Sequence, residues 1–275
     1  MNDAGLREEL ALHAGKTKWE AVLRTLEIRA FQTVHDLCTQ PTLDLGCGDG
    51  FVAKMAFGRL LEVGLDLDLG VLEQARLLTA YRLLVNADAR VLPFKNSAFR
   101  SVYTNGAMEH MDDLDSVLSE ISRVLMRGGV LVTLVPSDRF LESIGSVGKL
   151  LGRGMWARFN QLHNHVNLLS RDDWCARMAK WGLAVDQVTT YGGPKIAAFI
   201  ANRDLLSKLH LSSRRPFIQL RHQANLGRWL PELLRPSILG RQNGPDECPE
   251  PGSGHAKTQL DKMEGYWMLI VARRK

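Results

Sequence analysis

One turn does most to limit how this chain can fold. Asp44-Leu45-Gly46-Cys47-Gly48-Asp49-Gly50 follows the short apolar run Thr42–Leu45 and leads into the helix-like run Phe51–Phe57. Glycines between a strand and a helix let the backbone turn sharply and let a ligand approach with no Cβ in the way. Twenty residues after Gly46, closing the next apolar run Leu61–Leu65, stands Asp66. An acid at that place accepts hydrogen bonds from both hydroxyls of a ribose, so the spacing suits an adenosine-containing cofactor. The alternation continues with a helical pattern over Val71–Thr79, strands at Arg82–Asn86 and Ser101–Thr104, a helix over Leu114–Leu125, and a strand over Gly129–Val135 stopped by Pro136. Strands alternating with helices predict βαβ units and a parallel sheet.

The flanks are less regular. From Trp19 the residues Val22, Leu23, Leu26, Ala30, Val34 and Leu37 recur at three- and four-residue spacing, which predicts a leading helix. Past Pro136 the pattern loosens through Gly145, Gly148, Gly152 and Gly154, as a lid or mobile loop would. Ser170, ahead of Asp172, Asp173 and the run Trp174–Trp181, predicts a capped helix stopped at Gly182, followed by a sixth strand at Leu183–Thr190. After Gly192-Gly193-Pro194 the segment 195–241 looks inserted, and Gln242–Gly254 has the composition of a loop before a last strand at Tyr266–Ala272. The expected organisation is therefore an N-terminal helical segment 1–40, a core 41–194, a basic helical insertion with a loop 195–260, and the last core strand 261–275.

Composition enters through charge and cysteine. The net charge of +5 is local, since residues 195–241 hold nine Lys and Arg against two Asp and Glu. Ile196, Phe199, Ile200, Phe217, Trp229 and neighbouring leucines are interleaved with those charges. Such a segment suits peripheral contact with an anionic membrane surface, a lid over an amphiphilic acceptor, or a cap whose arginines are simply solvated. It lacks a nucleic-acid-binding motif, so nucleic acid is not an expected partner. No apolar run reaches the roughly 20 residues of a membrane span, and MNDAGLREEL does not read as a secretory leader. Cys38, Cys47, Cys175 and Cys248 lie far apart without CxxC spacing, which predicts neither zinc nor a disulfide framework and fits a reducing cytoplasm.

The stretch from about 41 to 136 resembles the class I S-adenosylmethionine-dependent methyltransferase superfamily, and within it the branch that includes the ubiquinone and menaquinone biosynthesis methyltransferases. Leu43–Gly50 resembles its first motif, Gly64-Leu65-Asp66-Leu67-Asp68 its second, Asn86–Phe94 its third and Asn105-Gly106-Ala107-Met108-Glu109-His110 its fourth, while Glu120–Leu125 with Gly128-Gly129 resembles the helix and turn before strand five. The resemblance implies S-adenosyl-L-methionine as cofactor and an α/β, Rossmann-like, seven-stranded, mostly parallel sheet. Its last strand would lie antiparallel beside strand five, with the helical insertion between strands six and seven. It also implies a cofactor site of Asp44 near the amino group, Gly46, Cys47, Gly48 and Gly50 in the loop, Asp66 and Leu67 at the ribose, Asp88 and Ala89 at the adenine, and Asn105. The superfamily commonly has Phe-Asp where this chain has Phe99-Arg100, and its motifs assign nothing in the insertion.

A sulfonium carries its own methyl group, so such an enzyme mainly aligns donor with nucleophile and excludes water. A histidine base serves a hydroxyl or acidic carbon. His110 is the first candidate and His165 the second, each with a purely structural reading beside it, and Asn167 and Tyr191 are candidates for lining the acceptor pocket. His163-Asn164-His165 lacks a neighbouring cysteine or carboxylate in sequence, so no metal is expected. The expected activity is methyl transfer to a small-molecule, lipid-linked or glycan-type acceptor. Two competing readings are a nicotinamide-dependent oxidoreductase, which shares the loop and the ribose acid but calls for GxGxxG, and a non-catalytic cofactor-binding or membrane-associated module.

Overall fold

The computed structural model describes residues 18–144, 163–194, 196–201 and 265–275. Its centre is β1 (Thr42–Leu45), four residues with every side chain buried, as a strand covered on both faces requires. Parallel partners flank it: β2 (Leu61–Asp66) pairs Asp44 with Gly64, and β4 (Phe99–Asn105) pairs Leu43 with Val102. With β3 (Tyr81–Asn86), β5 (Leu125–Pro136), β6 (Leu183–Tyr191) and β7 (Trp267–Arg274), one sheet forms in the order β3-β2-β1-β4-β5-β7-β6. β7 is antiparallel to both neighbours, with Val132 opposite Val271 on one side and Val188 opposite Ile270 on the other. This is the Rossmann-like sheet expected, including the antiparallel last strand beside β5. The order in which strands join the sheet reverses between β1 and β4, and the crevice at such a switch point is where open α/β sheets bind ligands.

Helices cover both faces. α1 (Lys18–Gln32), α2 (Phe51–Phe57) and α3 (Leu69–Leu78) pack on one, α4 (Leu114–Val124) and α5 (Arg171–Lys180) on the other. Side-chain alternation along β5 divides Val130, Val132 and Leu134 from Leu131 and Val135 between the two cores. On α4 the buried residues Leu114, Val117, Leu118, Ile121 and Val124 form one stripe, and Asp113 caps its start by accepting from Ser116 N. Ser170 caps α5 as its sequence predicts, accepting from Asp173 N.

Several expectations are corrected. α1 ends at Gln32 rather than running to Leu37, because the Thr33 hydroxyl donates back to Ala30 O at 2.7 Å and a 3-10 turn over His35–Leu37 takes over. β4 starts two residues early, and its register against β5 shifts between Phe99 and Ser101, where the Arg100 and Ser101 N–H groups both donate to Pro41 O. Cys38 and Cys47 are free, but Cys175 is disulfide-bonded, against the expectation of unpaired thiols; its partner lies outside the described residues. So do the glycine-rich loop at 145–154 and nearly all of the basic insertion. Of that insertion, Ile200 is buried and Ile196 and Phe199 pack against the core, so these apolar residues are used by the domain rather than by a membrane. No helix among the described residues is long and apolar enough to cross a membrane.

Arg123 on α4 fastens the segment that follows Asp88. Its guanidinium donates to Phe94 O at 2.7 Å, Leu92 O at 2.9 Å and Asn96 Oδ1 at 2.9 Å while pairing with Glu120, whose Oε2 accepts from Leu92 N at 2.7 Å. A planar fork meets these acceptors together and an ammonium does not. Arg123→Lys is therefore expected to lower the unfolding free energy by about 1–3 kcal/mol in a urea titration; an unchanged midpoint would show that the fork is dispensable.

Candidate active site

A cavity of about 1350 Å³ opens at the carboxyl ends of β1, β2, β4 and β5, roofed by Leu23, Arg24 and Glu27 of α1. Of the residues the sequence singles out, Asp44, Gly46, Cys47, Gly48, Asp66, Leu67, Asp88, Ala89, Asn105, His110 and His165 line it. Gly50, Asn167 and Tyr191 do not. Gly50 sits in the left-handed region (φ 76°) at the start of α2, beside the Tyr81 ring. Tyr191 is buried, with its hydroxyl 3.3 Å from that of Thr33.

The glycine loop spends its own N–H groups. Gly46 N and Cys47 N donate to Leu65 O at 2.8 and 2.9 Å, Gly48 N donates to Asp66 Oδ2 at 2.9 Å, Gly50 N to Cys47 O at 3.0 Å and Phe51 N to Asp49 Oδ1 at 3.0 Å. Gly46 adopts φ +72°, and a Cβ there would come within 2.6 Å of Ala107 Cβ, so glycine is needed for both the turn and the approach of the β4 segment. Asp66 is held from both sides, since its Oδ1 also accepts from Asp68 N at 3.0 Å. Leu67 beside it is 70% exposed at the cavity, an apolar surface for a flat ring. Asp88 is clamped by Arg90 at 2.6 Å, which holds its carboxyl below the usual carboxylate range.

At the floor lies Asp44, 1% exposed. Tyr81 donates to its Oδ2 at 2.6 Å, and its Oδ1 has no hydrogen-bond partner. Burial pushes this carboxyl up to about 8, with the Tyr81 hydrogen bond opposing the shift. Tyr81 escapes sequence reading because nothing local ties the first residue of β3 to the end of β1.

The opposite end is built from two distant segments. Val166 N and Asn167 N donate to Glu109 O at 2.8 and 3.0 Å, and the Asn167 amide donates to Met108 O at 2.9 Å and Met111 O at 2.6 Å. Asn167 is thus a clamp rather than a lining residue. The clamp sets His165 beside His110, ring centroids 5.0 Å apart, with His163 at 5.1 Å from His165 and Phe140 edge-on to it. It also brings in a carboxylate that the spacing around His165 does not reveal. Glu109 is 4% exposed, pushed up to about 8 by burial, with its Oε1 4.0 Å from His110 Nε2. Among the described residues the lining carries eight Asp and Glu against two Arg, so this basic chain encloses an acidic cavity.

Residues 43–133 match the family model of a methyltransferase domain. The chain is 32% identical over 155 residues to malonyl-[acyl-carrier protein] O-methyltransferase from Legionella pneumophila, covering 53% of this chain and 51% of that one. It is 29% identical over 168 residues to 27-O-demethylrifamycin SV methyltransferase from Amycolatopsis mediterranei, covering 55% and 58%. The chain spans about half the length of the curated relatives it matches. A solved methyltransferase structure from Thermotoga maritima superposes with a TM-score of 0.54 at 16% identity, over 94% of this chain and 93% of that one, a likeness of fold.

The raised Asp44 carboxyl makes stability depend on pH. Native Asp44 keeps its proton up to about pH 8 while the unfolded chain loses it near 3.8, so the folded state binds more protons and loses stability as pH rises through that window. Asp44→Asn is expected to flatten the fall in unfolding free energy between about pH 4 and about pH 8; denaturation curves that stay parallel to those of the unmodified chain would remove the buried proton from the account.

Proposed function

We propose that this chain, which belongs to the class I S-adenosylmethionine-dependent methyltransferase superfamily, transfers the methyl group of S-adenosyl-L-methionine to an oxygen of a small or lipid-linked acceptor. One observation carries the reading of the cofactor site: its loop is prepared for a cation. A dinucleotide's pyrophosphate needs N–H groups free at the start of the following helix. Here the N–H groups of Gly46, Cys47, Gly48, Gly50 and Phe51 are already donated within the protein, and the floor offers the unpartnered Oδ1 of Asp44. An ammonium group fits that acceptor, and an acidic lining favours a sulfonium over a dianion. The oxidoreductase reading loses on this point.

The cofactor supplies an electrophilic methyl group, and the protein supplies alignment. Asp44 would accept from the cofactor's ammonium, Asp66 from the ribose hydroxyls, and Leu67 and Ala89 would flank the adenine. Because Asp88 is clamped by Arg90, any contact it makes with the adenine amino group would share oxygens with that pair. Asn105 stands at the cavity with an unpartnered Oδ1. His110 and His165 face the place left for the acceptor. Oxygen is favoured as the attacking atom because the named relatives from Legionella and Amycolatopsis both act on oxygen, and a malonyl-acyl carrier protein is the first acceptor to try. The working unit in this reading is 41–194 with the last strand, roofed by α1.

Calorimetric titration with S-adenosylhomocysteine beside NADH tests this directly. The expected result is binding of the former alone, weakened by about tenfold or more in Asp66→Ala, a loss in keeping with hydrogen bonds to a charged group. Preference for NADH, or no binding of the homocysteine product, would overturn the proposal.

A further inference from the structure

Three features at the acceptor end find no use in binding a methyl donor. The first is the Glu109 carboxylate, 4% exposed and facing the cavity, whose Oε2 has no hydrogen-bond partner. A buried carboxylate in that condition is costly unless a cation or a donor meets it. The second is the protonation pattern of His110. Its Nδ1 lies 3.1 Å from the carbonyl of Asn164, and a carbonyl only accepts, which gives Nδ1 the donor role and makes Nε2, 4.0 Å from Glu109 Oε1, the nitrogen able to ligate. A histidine whose far nitrogen is tied to a backbone carbonyl has the orientation typical of a metal ligand. Asn164 adopts φ +51° to present that carbonyl. The third is convergence: Glu109, His110 and His165 bring one ligand-type atom each to within 4.8 Å of one another.

We propose that Glu109, His110 and His165 form a two-histidine, one-carboxylate site for a divalent ion of the zinc and cobalt class, at the acceptor end of the cavity. Imidazole nitrogen selects such ions over magnesium or calcium, which take oxygen ligands. Two ligand atoms at about 2.1 Å from one zinc ion stand about 3.4 Å apart across a tetrahedral angle, so the set, now within 4.8 Å, has to close by up to roughly 1.4 Å, within reach of side-chain rotation. The backbone beneath it is already fixed, since Val166 N, Asn167 N and the Asn167 amide tie the His165 segment to residues 108–111. Three protein ligands leave a coordination position open to the cavity, the arrangement of catalytic rather than structural zinc.

An acceptor oxygen in that position would lose its proton to solvent more readily. It would then form the O–C bond as the C–S bond breaks and its electron pair returns to sulfur. The ion would also present a positive charge to an anionic acceptor beside Glu109. This use of the ion rests on the methyl-transfer reading; the ion site itself does not.

The test uses the full chain stripped with a chelator and titrated with cobalt(II), followed by visible absorption, with zinc as competitor. One cobalt ion per chain is expected, displaced by zinc, with affinity lowered by about tenfold or more in His165→Ala and in Glu109→Gln while S-adenosylhomocysteine still binds. His165→Gln is the second variant should removal of the ring disturb the loop, and retained binding of the homocysteine product reports that each variant is folded. Failure of the unmodified chain to bind cobalt stoichiometrically, or equal affinity in the folded variants, would overturn the site. A chain that binds cobalt and not the homocysteine product would keep the ion site and lose the methyl-transfer reading, and the reverse result would do the opposite.

Discussion

The hydrogen bond from Tyr81 to Asp44 sets the terms for the cofactor end of the cavity. A carboxylate at the end of a central strand, covered on both faces by sheet and helix, is expensive to bury, and a single 2.6 Å bond leaves half of it unsatisfied. Room for the Tyr81 ring is made by glycine twice. A Cβ on Gly64 of β2 would lie 2.8 Å from the ring, and one on Gly50 would lie 2.7 Å from it. Gly50 is therefore part of the site without touching the cavity, since its task is to let a tyrosine reach under the loop. Asp44 lines the cavity with its Oδ1 unpartnered, and burial favours the neutral form of the group.

The same loop explains why a strand–glycine–helix turn is a poor guide to the ligand by itself. The sequence shows where glycines stand, but what an N–H donates to is decided by residues far along the chain. Leu65 O takes two of the loop's donors and Asp66 takes a third, so N–H groups that elsewhere cradle phosphate are here used within the protein. The spacing from Gly46 to Asp66 is legible because β2 must end level with β1 in a parallel sheet. The Asp66 carboxylate then serves twice, bracing the loop and presenting its outer lone pairs to the cavity.

Legibility follows the range of the interaction. The strands, the capped helices and the glycine loop are local, written in periods of two and of three to four and in capping residues such as Ser170 and Asp113. The antiparallel last strand and its place beside β5 came through resemblance to a superfamily, because pairing between Val132 and Val271 leaves no trace in either segment alone. Glu109 beside His165 is the sharpest case. A search for metal ligands near His163-Asn164-His165 fails on spacing, while the fold brings Glu109 beside it from the 3-10 turn Met108–His110 after β4. Asn167 looked like a lining residue for the same reason, since a polar side chain in a loop gives no sign of whether it serves a ligand or two distant carbonyls.

Charge joins the two ends. The chain is basic as a whole, yet the cavity is acidic, and its roof carries Arg24 paired with Glu27 at 2.8 Å, a nearly neutral couple. Two buried carboxyls therefore remain, Asp44 under the cofactor end and Glu109 under the acceptor end, both raised to about 8 by burial. Burial favours the neutral form of each, which makes a buried acid tolerable. Each becomes a strong acceptor once a cation is bound, because the same low dielectric that penalised the lone charge strengthens the pair. At the cofactor end the ammonium of the proposed cofactor would be that cation. At the acceptor end two imidazoles and one carboxyl group converge to within 4.8 Å, and that is the ligand set the proposed divalent ion would meet.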